Sequence, residues 1–355
     1  MQDATIFIPW SWGTELQVTT FECCMLLELL SGVLQPEYYC GSMDAPSVTV
    51  SSPGAIPTLS IFYLSPYHYI PTRGVCEVML ILFSFVTVLH FIGALGYRLW
   101  WVLPTICLAG AGEIAGWAAR LWSSHDPFAR NPFLIQIITT ILSPTPLLGA
   151  IFIMFSRLSE ILGVQYSRLS PRWYSRIFLS CDIIALTVQG LGGGIAASAQ
   201  GAQQQKTLNL GSNIMLGGIL FQLAAMMTFI FLVVEYFTRF FSNQPLRPKP
   251  EEPKSFKDDA SVMTLVEARP WTPRTKLMSA SIALCMFFLL VRSIYRTAEL
   301  ADGWDGKIIS TEVLFNFFDG AMVVLTMYTL IFLHPSYLLP TSKASGSPLS
   351  KTVSA

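Results

Sequence analysis

Arg292, Arg296 and Glu299 stand at i, i+4 and i+7, and Glu312, Asn316 and Asp319 repeat that spacing across a short loop holding Gly303, Trp304 and Gly306. On a helix each triplet lines one face, so two consecutive helices meet along a polar seam with guanidinium groups facing carboxylates. Both triplets sit in apolar surroundings. A charged side chain at the centre of a bilayer costs about 2.5–3.5 kcal/mol on insertion scales, so such residues turn towards a bundle interior or a wet cavity and pair with one another. The chemistry this favours is charge pairing around a pathway or a binding site. A competing reading has Arg292, Arg296 and Glu299 reach to one interface and brace the outer ends of two helices.

Other polar residues in apolar runs follow the same logic. Glu113 and Arg120 are seven apart, as are Asp182 and Gln189, so each pair shares a helix face. Gln136 and Gln222 add amides, and Glu113, Asp182 and Asp319 are the deepest or most centrally faced carboxylates. Glutamines also serve as glue between helices, where polar contacts average about 0.6 kcal/mol. Glu77 and Glu235 fall near segment ends and read as interfacial, and His90 reads as a satisfied hydrogen-bonding residue. The GxxxG pairs Gly112/Gly116 and Gly190/Gly194 mark close helix packing. Pro144 and Pro146 free backbone carbonyls in mid-segment, as a hinge or as a static kink.

The same inventory argues against an enzyme. GxSxG and HExxH are absent, and His68, His90, His125 and His334 are dispersed, which leaves only carboxylate chemistry open. No CxxC or Cys/His pair has metal spacing, so neither a metal nor a cofactor is expected. The run Gly192-Gly193-Gly194 follows no strand, and no GxxxxGK[ST] occurs, so the chain has no recognisable ATP-hydrolysing machinery. Cys23, Cys24, Cys40 and Cys76 lie in or beside the N-terminal arm, where an extracellular setting would permit one disulfide.

The chain that carries these residues is 52% hydrophobic and 12% charged, too few charges to coat a soluble protein. Its net charge of zero and lack of a basic, aromatic-interleaved stripe point away from nucleic acid. Seven apolar segments are long enough to cross about 30 Å of hydrocarbon, at roughly 73–95, 100–122, 133–156, 174–199, 212–238, 276–297 and 313–334. The expected fold is therefore an all-α integral membrane bundle of seven helices. Lys and Arg divide fifteen to seven between the two faces, consistently loop by loop, which places the N-terminus outside and the C-terminus in the cytosol. Residues 1–70 read as a flexible extracytosolic arm, 71–337 as the membrane domain, and 338–355 as a disordered cytosolic tail. The cytosolic loop at about 242–275 is rich in Pro, Lys and Glu; its basic residues suit contact with anionic inner-leaflet lipid or serve as topology determinants.

Several motifs in fixed order carry a family resemblance: GEIAGWAAR ending at Arg120, Pro132 to Gln136, CDIIALTVQGLGGG from Cys181, GSNIMLGGILFQ from Gly211, RSIYRTAE, Glu312 with Asp319, and His334-Pro335. Over about residues 66–337 the chain resembles the fungal lipid-translocating exporters, the RTA-like proteins that include sphingoid long-chain-base resistance proteins. The resemblance implies seven spans, an outside N-terminus, residence in the plasma membrane or another fungal membrane, and a link to export of lipids or amphiphilic drugs. It marks Glu113, Gly116, Arg120, Gln136, Asp182, Gln189, Gly192 to Gly194, Gln222, Arg292, Arg296, Glu299, Gly303, Glu312, Asp319, His334 and Pro335. Trp117, Phe152 and Asn316 stand where the family pattern has tyrosines, and Ser143 and Ser156 replace its usual small residues.

Two functional readings follow. In the first, the protein translocates an amphiphile whose cationic head rests against Glu113, Asp182 or Asp319, while Arg292 and Arg296 pair with Glu299 or Glu312 and hold a gate. In the second it is a seven-helix receptor or regulator that senses lipids and controls other transporters. The substrate, the energy source and the oligomeric state are open at this level.

Overall fold

The computed structural model describes residues 67, 69–199, 204–246, 271–303 and 306–333. The expected arm up to residue 66, the middle of the long loop and the tail lie outside the described residues, as do His68, Trp304, His334 and Pro335. Among the described residues, seven helices are long and apolar enough to cross a membrane: α1 Arg73–Tyr97, α2 Trp100–His125, α3 Asn131–Leu162, α4 Pro171–Ala197, α5 Gln205–Ser242, α6 Pro273–Asp302 and α7 Glu312–Phe332. The protein is an all-α, integral membrane bundle.

The helices match the apolar runs, with two departures of physical interest. Helix α5 begins about seven residues earlier than its apolar run, because Gln205 and Asn209 bond across one turn at 3.3 Å and extend it in polar residues. At 1.5 Å per residue it spans about 57 Å, well beyond the hydrocarbon thickness. Helix α3 passes through Pro144 and Pro146 with little interruption. Ser143 keeps helical dihedrals of φ −60° and ψ −34°, and its N–H still donates to the Thr139 carbonyl at 2.9 Å.

Burial sorts the helices in a way opposite to a soluble protein. The apolar stretch of α3 is entirely buried, whereas most residues in those of α1 and α5 are half-buried or exposed. Lipid tails are as apolar as leucine, so apolar surface has no reason to hide from them, and close packing decides what sits inside. Val78, Ile81, Phe85, Val88 and Ile92 form the lipid-facing stripe of α1, while Phe83, Val86, His90 and Ala94 face inward. Towards the end of the bundle where α3 ends and α4 begins, Phe152, Phe155, Tyr174, Phe178, Phe229 and Tyr236 interlock edge to face.

Glycines set the helix contacts that position the polar residues. A Cβ on Gly112 would approach Ser143 Cβ to 2.6 Å, and one on Gly116 would approach Thr140 Cγ2 to 2.6 Å, so this GxxxG pair carries α2 against α3. The second pair behaves differently from expectation. Gly190 is half-buried, and a Cβ on the exposed Gly194 meets nothing within 4 Å. The α4–α5 crossing runs instead through Gly192, Gly211 and Gly218, where added Cβ atoms would come within 2.7 Å of Met215 N, 2.5 Å of Ala196 N and 2.7 Å of Gln189 Cγ. Both GxxxG pairs satisfy the spacing, but rotation of α4 turns Gly194 outward.

Candidate functional site

At the centre of the bundle two arginines of α6 converge on one carboxylate of α7. Arg296 grips Asp319 with two bonds of 2.7 Å, from Nε to Oδ1 and from Nη2 to Oδ2. Its Nη1 donates to Glu299 Oε2 at 2.8 Å, and Nη2 also reaches the Thr140 hydroxyl at 2.9 Å. Arg292 Nε lies 3.0 Å from Asp319 Oδ1, close enough for an ion pair but not aligned as a hydrogen bond. All four charged residues are buried. Asp319 stands in a π-helical turn, Asn316–Ala321, followed by Gly320; a Cβ there would come within 2.4 Å of the Trp117 ring. Such widened turns change the direction in which a helix aims its side chains, and they recur at functional sites.

The prolines of α3 supply a second anchor. Pro144 has no N–H, so the Thr140 carbonyl four residues earlier lacks its intrahelical donor. Arg292 Nη2 donates to that carbonyl. A backbone acceptor released by proline thus holds a buried cation.

Glu113 of α2 reaches α3 over the gap that Gly112 leaves. The Ser143 hydroxyl hydrogen-bonds its Oε1, and its Oε2 has no partner among the described residues. About two turns further along α2, Arg120 is caged by rings, its guanidinium carbon lying 5.4 Å from the Tyr67 centroid, 5.5 Å from Tyr69, 5.7 Å from Trp117 and 4.4 Å from Phe315. Its Nη2 donates to the Tyr69 hydroxyl at 2.8 Å and to Glu312 Oε1 at 3.4 Å. Glu312 also accepts from the Thr72 backbone N–H and hydroxyl, at 2.8 and 2.7 Å, which ties the start of α1 to the start of α7. Outside the spans, burial pushes the Tyr67 hydroxyl up to about 12 and raises Tyr69, so both stay neutral at physiological pH, and Tyr69 accepts from Arg120.

Two chambers flank this cluster. One, a small cavity of about 20 Å³, lies between α3, α4, α5 and α6; Gln189, Gln222, Arg292 and Ser293 give it polar groups, and Leu148, Met226 and Leu289 give it apolar wall. Gln189 Nε2 donates to Gln222 Oε1 at 3.0 Å, Gln222 Nε2 donates to the Thr145 hydroxyl at 3.2 Å, and the buried Gln189 Oε1 has no partner among the described residues. The other, also about 20 Å³, lies against Tyr67 and Tyr69 and is lined by Phe133, Gln136, Glu299 and Phe315. Ile141 and Arg296 belong to the walls of both chambers.

With this geometry in view, comparison with known proteins becomes specific. Residues 106–342 match the sequence model of the family described as RTA1 like protein. The chain belongs to this RTA1-like family. It is 26% identical over 274 residues to the sphingoid long-chain base transporter RSB1 of Saccharomyces cerevisiae strain Lalvin EC1118, covering 73% of this chain and 70% of that one. Protein RTA1 of S. cerevisiae S288c is 27% identical over 224 residues, 63% of this chain and 62% of its own. Protein RTM1 of S. cerevisiae is 26% identical over 226 residues, 62% of each. No solved structure matches the chain.

In this RTA1-like bundle the residues singled out by spacing divide into groups. Arg292, Arg296, Glu299 and Asp319 meet in one cluster. Arg120 joins Glu312 beside it, and Gln136 lines the adjoining chamber. Gln189 and Gln222 pair across α4 and α5. Asp182 is buried on the α4 face that carries Phe178, Leu186 and Gln189. One pairing departs from expectation: the shared partner of Arg292 and Arg296 is Asp319, and Glu312 belongs to Arg120. The interfacial reading of the arginines also fails, because Arg292 and Arg296 are buried. Thr140, Thr145, Ser143, Tyr67, Tyr69 and Phe315 escaped spacing arguments. The proline at 144 was the available signal for Thr140, since it predicts a free carbonyl at that position.

Proposed function

We propose that this protein moves an amphiphile across the membrane, and that the two chambers meeting at Arg296 are stations on its route. The observation that carries the reading is the shared wall: Ile141 and Arg296 line both spaces, each of which combines polar and apolar side chains. A polar head needs hydrogen-bond partners at membrane depth, and the amides of Gln189 and Gln222 and the Ser293 hydroxyl offer them while a tail stays against apolar surface. The similarity to a protein named as a sphingoid long-chain base transporter supports a sphingoid base, or a toxic lipid or drug of like shape, as cargo.

Asp319 is engaged by two arginines, which makes it the gate's latch rather than a resting place for a cationic head. Amino and hydroxyl groups of the cargo are matched better by the unpaired Gln189 oxygen. We place the N-terminus outside and the C-terminus in the cytosol, in the plasma membrane, with the basic loop touching anionic lipid; the distribution of Lys and Arg supports this. Movement without a cofactor or catalytic step is the simplest chemistry for such a site.

Flip of a fluorescent sphingoid base across liposomes holding the purified protein tests the reading. Transport by the wild type, reduced at least several-fold in Gln189→Leu and Arg296→Gln, supports it. If the wild type moves no lipid with or without an ion gradient, a lipid-sensing receptor or regulator becomes the better reading.

A further inference from the structure

Charge counting around the central arginines leaves one carboxyl over. Arg292 and Arg296 face three buried carboxyl groups, Glu113, Glu299 and Asp319. Asp319 is paired with both arginines, and Glu299 with Arg296 and the Tyr295 hydroxyl at 3.1 Å. The neighbouring Arg120–Glu312 pair leaves the surplus unchanged. Glu113 is the unmatched group. Its Oε1 accepts from a neutral hydroxyl, its Oε2 has no hydrogen-bond partner among the described residues, and an ionised carboxylate in that position is far costlier than a neutral one.

We propose that Glu113 is a proton-binding site, protonated in this conformation, whose release of the proton moves Arg292 and so couples a proton gradient to transport. From α3 the Ser143 hydroxyl reaches Glu113, and Thr139 and Thr140 pack against Gly116 about one turn further along α2; the buried His90 of α1 is engaged with the Met327 carbonyl at 3.1 Å. Arg292 and Arg296 of α6 and Asp319 of α7 are the charged groups that act on Glu113, and Arg120 lies two turns along α2 itself.

The two arginines are held unequally, and that difference gives the proton its lever. Arg296 has a bidentate carboxylate, a second carboxylate and a hydroxyl. Arg292 has one carboxylate contact out of hydrogen-bond alignment and one backbone carbonyl, and it lines the deeper chamber. Loss of the proton gives Arg292 a second anion to turn to, while Arg296 stays latched. The chamber wall changes as Arg292 leaves it. The proton leaves Glu113 as a hydronium or on a buffer base, and no bond to cargo forms or breaks.

The coupling to transport rests on the translocator reading; the presence of the proton does not. Infrared spectra of the purified full-length chain in lipid nanodiscs at neutral pH read the carboxylic-acid carbonyl band directly. We expect such a band in the wild type, its loss in Glu113→Gln, and a frequency shift in Ser143→Ala, which keeps the carboxyl but removes its hydroxyl partner. A wild type without the band, or a band unchanged in both variants, overturns the proton site. In proteoliposomes, a pH gradient should speed sphingoid-base flip several-fold in the wild type and leave Glu113→Gln unaffected. Wild-type flip that ignores the gradient overturns the coupling. A Glu113 band in a protein that flips nothing supports the proton site while removing the translocator reading.

Discussion

Arg296 keeps its charge inside the bundle because Asp319, Glu299 and Thr140 between them take bonds from Nε and both terminal nitrogens. Removing one partner of such a buried pair strands the other charge, which costs about 3–5 kcal/mol. Asp319→Asn is therefore expected to destabilise the protein by about that much, because it weakens the hold on two arginines at once; thermal unfolding in detergent measures it. Adding Arg292→Gln to Asp319→Asn should recover part of the loss, since it removes one stranded cation. Arg120 depends on a different physics. Its planar guanidinium lies over four rings, so Arg120→Lys keeps the charge yet should cost about 1–2 kcal/mol by the same measurement.

Among the elements, α4 and α5 depend on glycine at chosen places. A methyl group on Gly192 would collide with the α5 backbone at Met215 N, 2.7 Å away, and backbone cannot step aside as a flexible side chain can. Gly192→Ala should lower stability by about 1–3 kcal/mol through overpacking. Gly194→Ala, with nothing within 4 Å, should change stability by no more than about 0.5 kcal/mol. Equal losses in the two variants would show that α4 is rotated from the orientation described. In α3, Pro144→Ala would return an N–H to the Thr140 carbonyl and set it in competition with Arg292. The expected result is slower flip with stability little changed, measured in liposomes and by unfolding respectively; Arg292 would lose its backbone anchor while the helix gained a bond.

For the molecule as a whole, the charged cluster sits towards the end of the bundle where α1 and α7 begin and α2 and α6 finish. If the N-terminus is outside, that end is the outer one, and the chamber beneath Tyr67 and Tyr69 faces the exterior side. An N-terminal epitope tag should then be read by antibody on intact spheroplasts, and a C-terminal tag only after permeabilisation. The reverse pattern would turn the route around and make the deeper chamber the one nearer the exterior. Among the described residues an odd number of spans lies between the two tags in either case.

Seven spans were legible in the sequence because span length and apolarity are local properties, set by 1.5 Å per residue against a bilayer of given thickness. The facing triplets from Arg292 to Asp319 were legible for the same kind of reason, since i, i+4 and i+7 fix a helix face whatever surrounds it. What lay across from each face was not. Asp319, rather than Glu312, meets both arginines because a π-helical turn in α7 re-aims it, and Arg120 finds its cage in Tyr67 and Tyr69, over fifty residues away. That Gly192 packs while Gly194 faces outward depends on the rotation of α4 about its axis, and the burial of α3 depends on how α2, α4, α5 and α6 pack against it. Periodicity determines which residues travel together on a helix; the rotation and crossing of helices distant in the chain determine which of them meet.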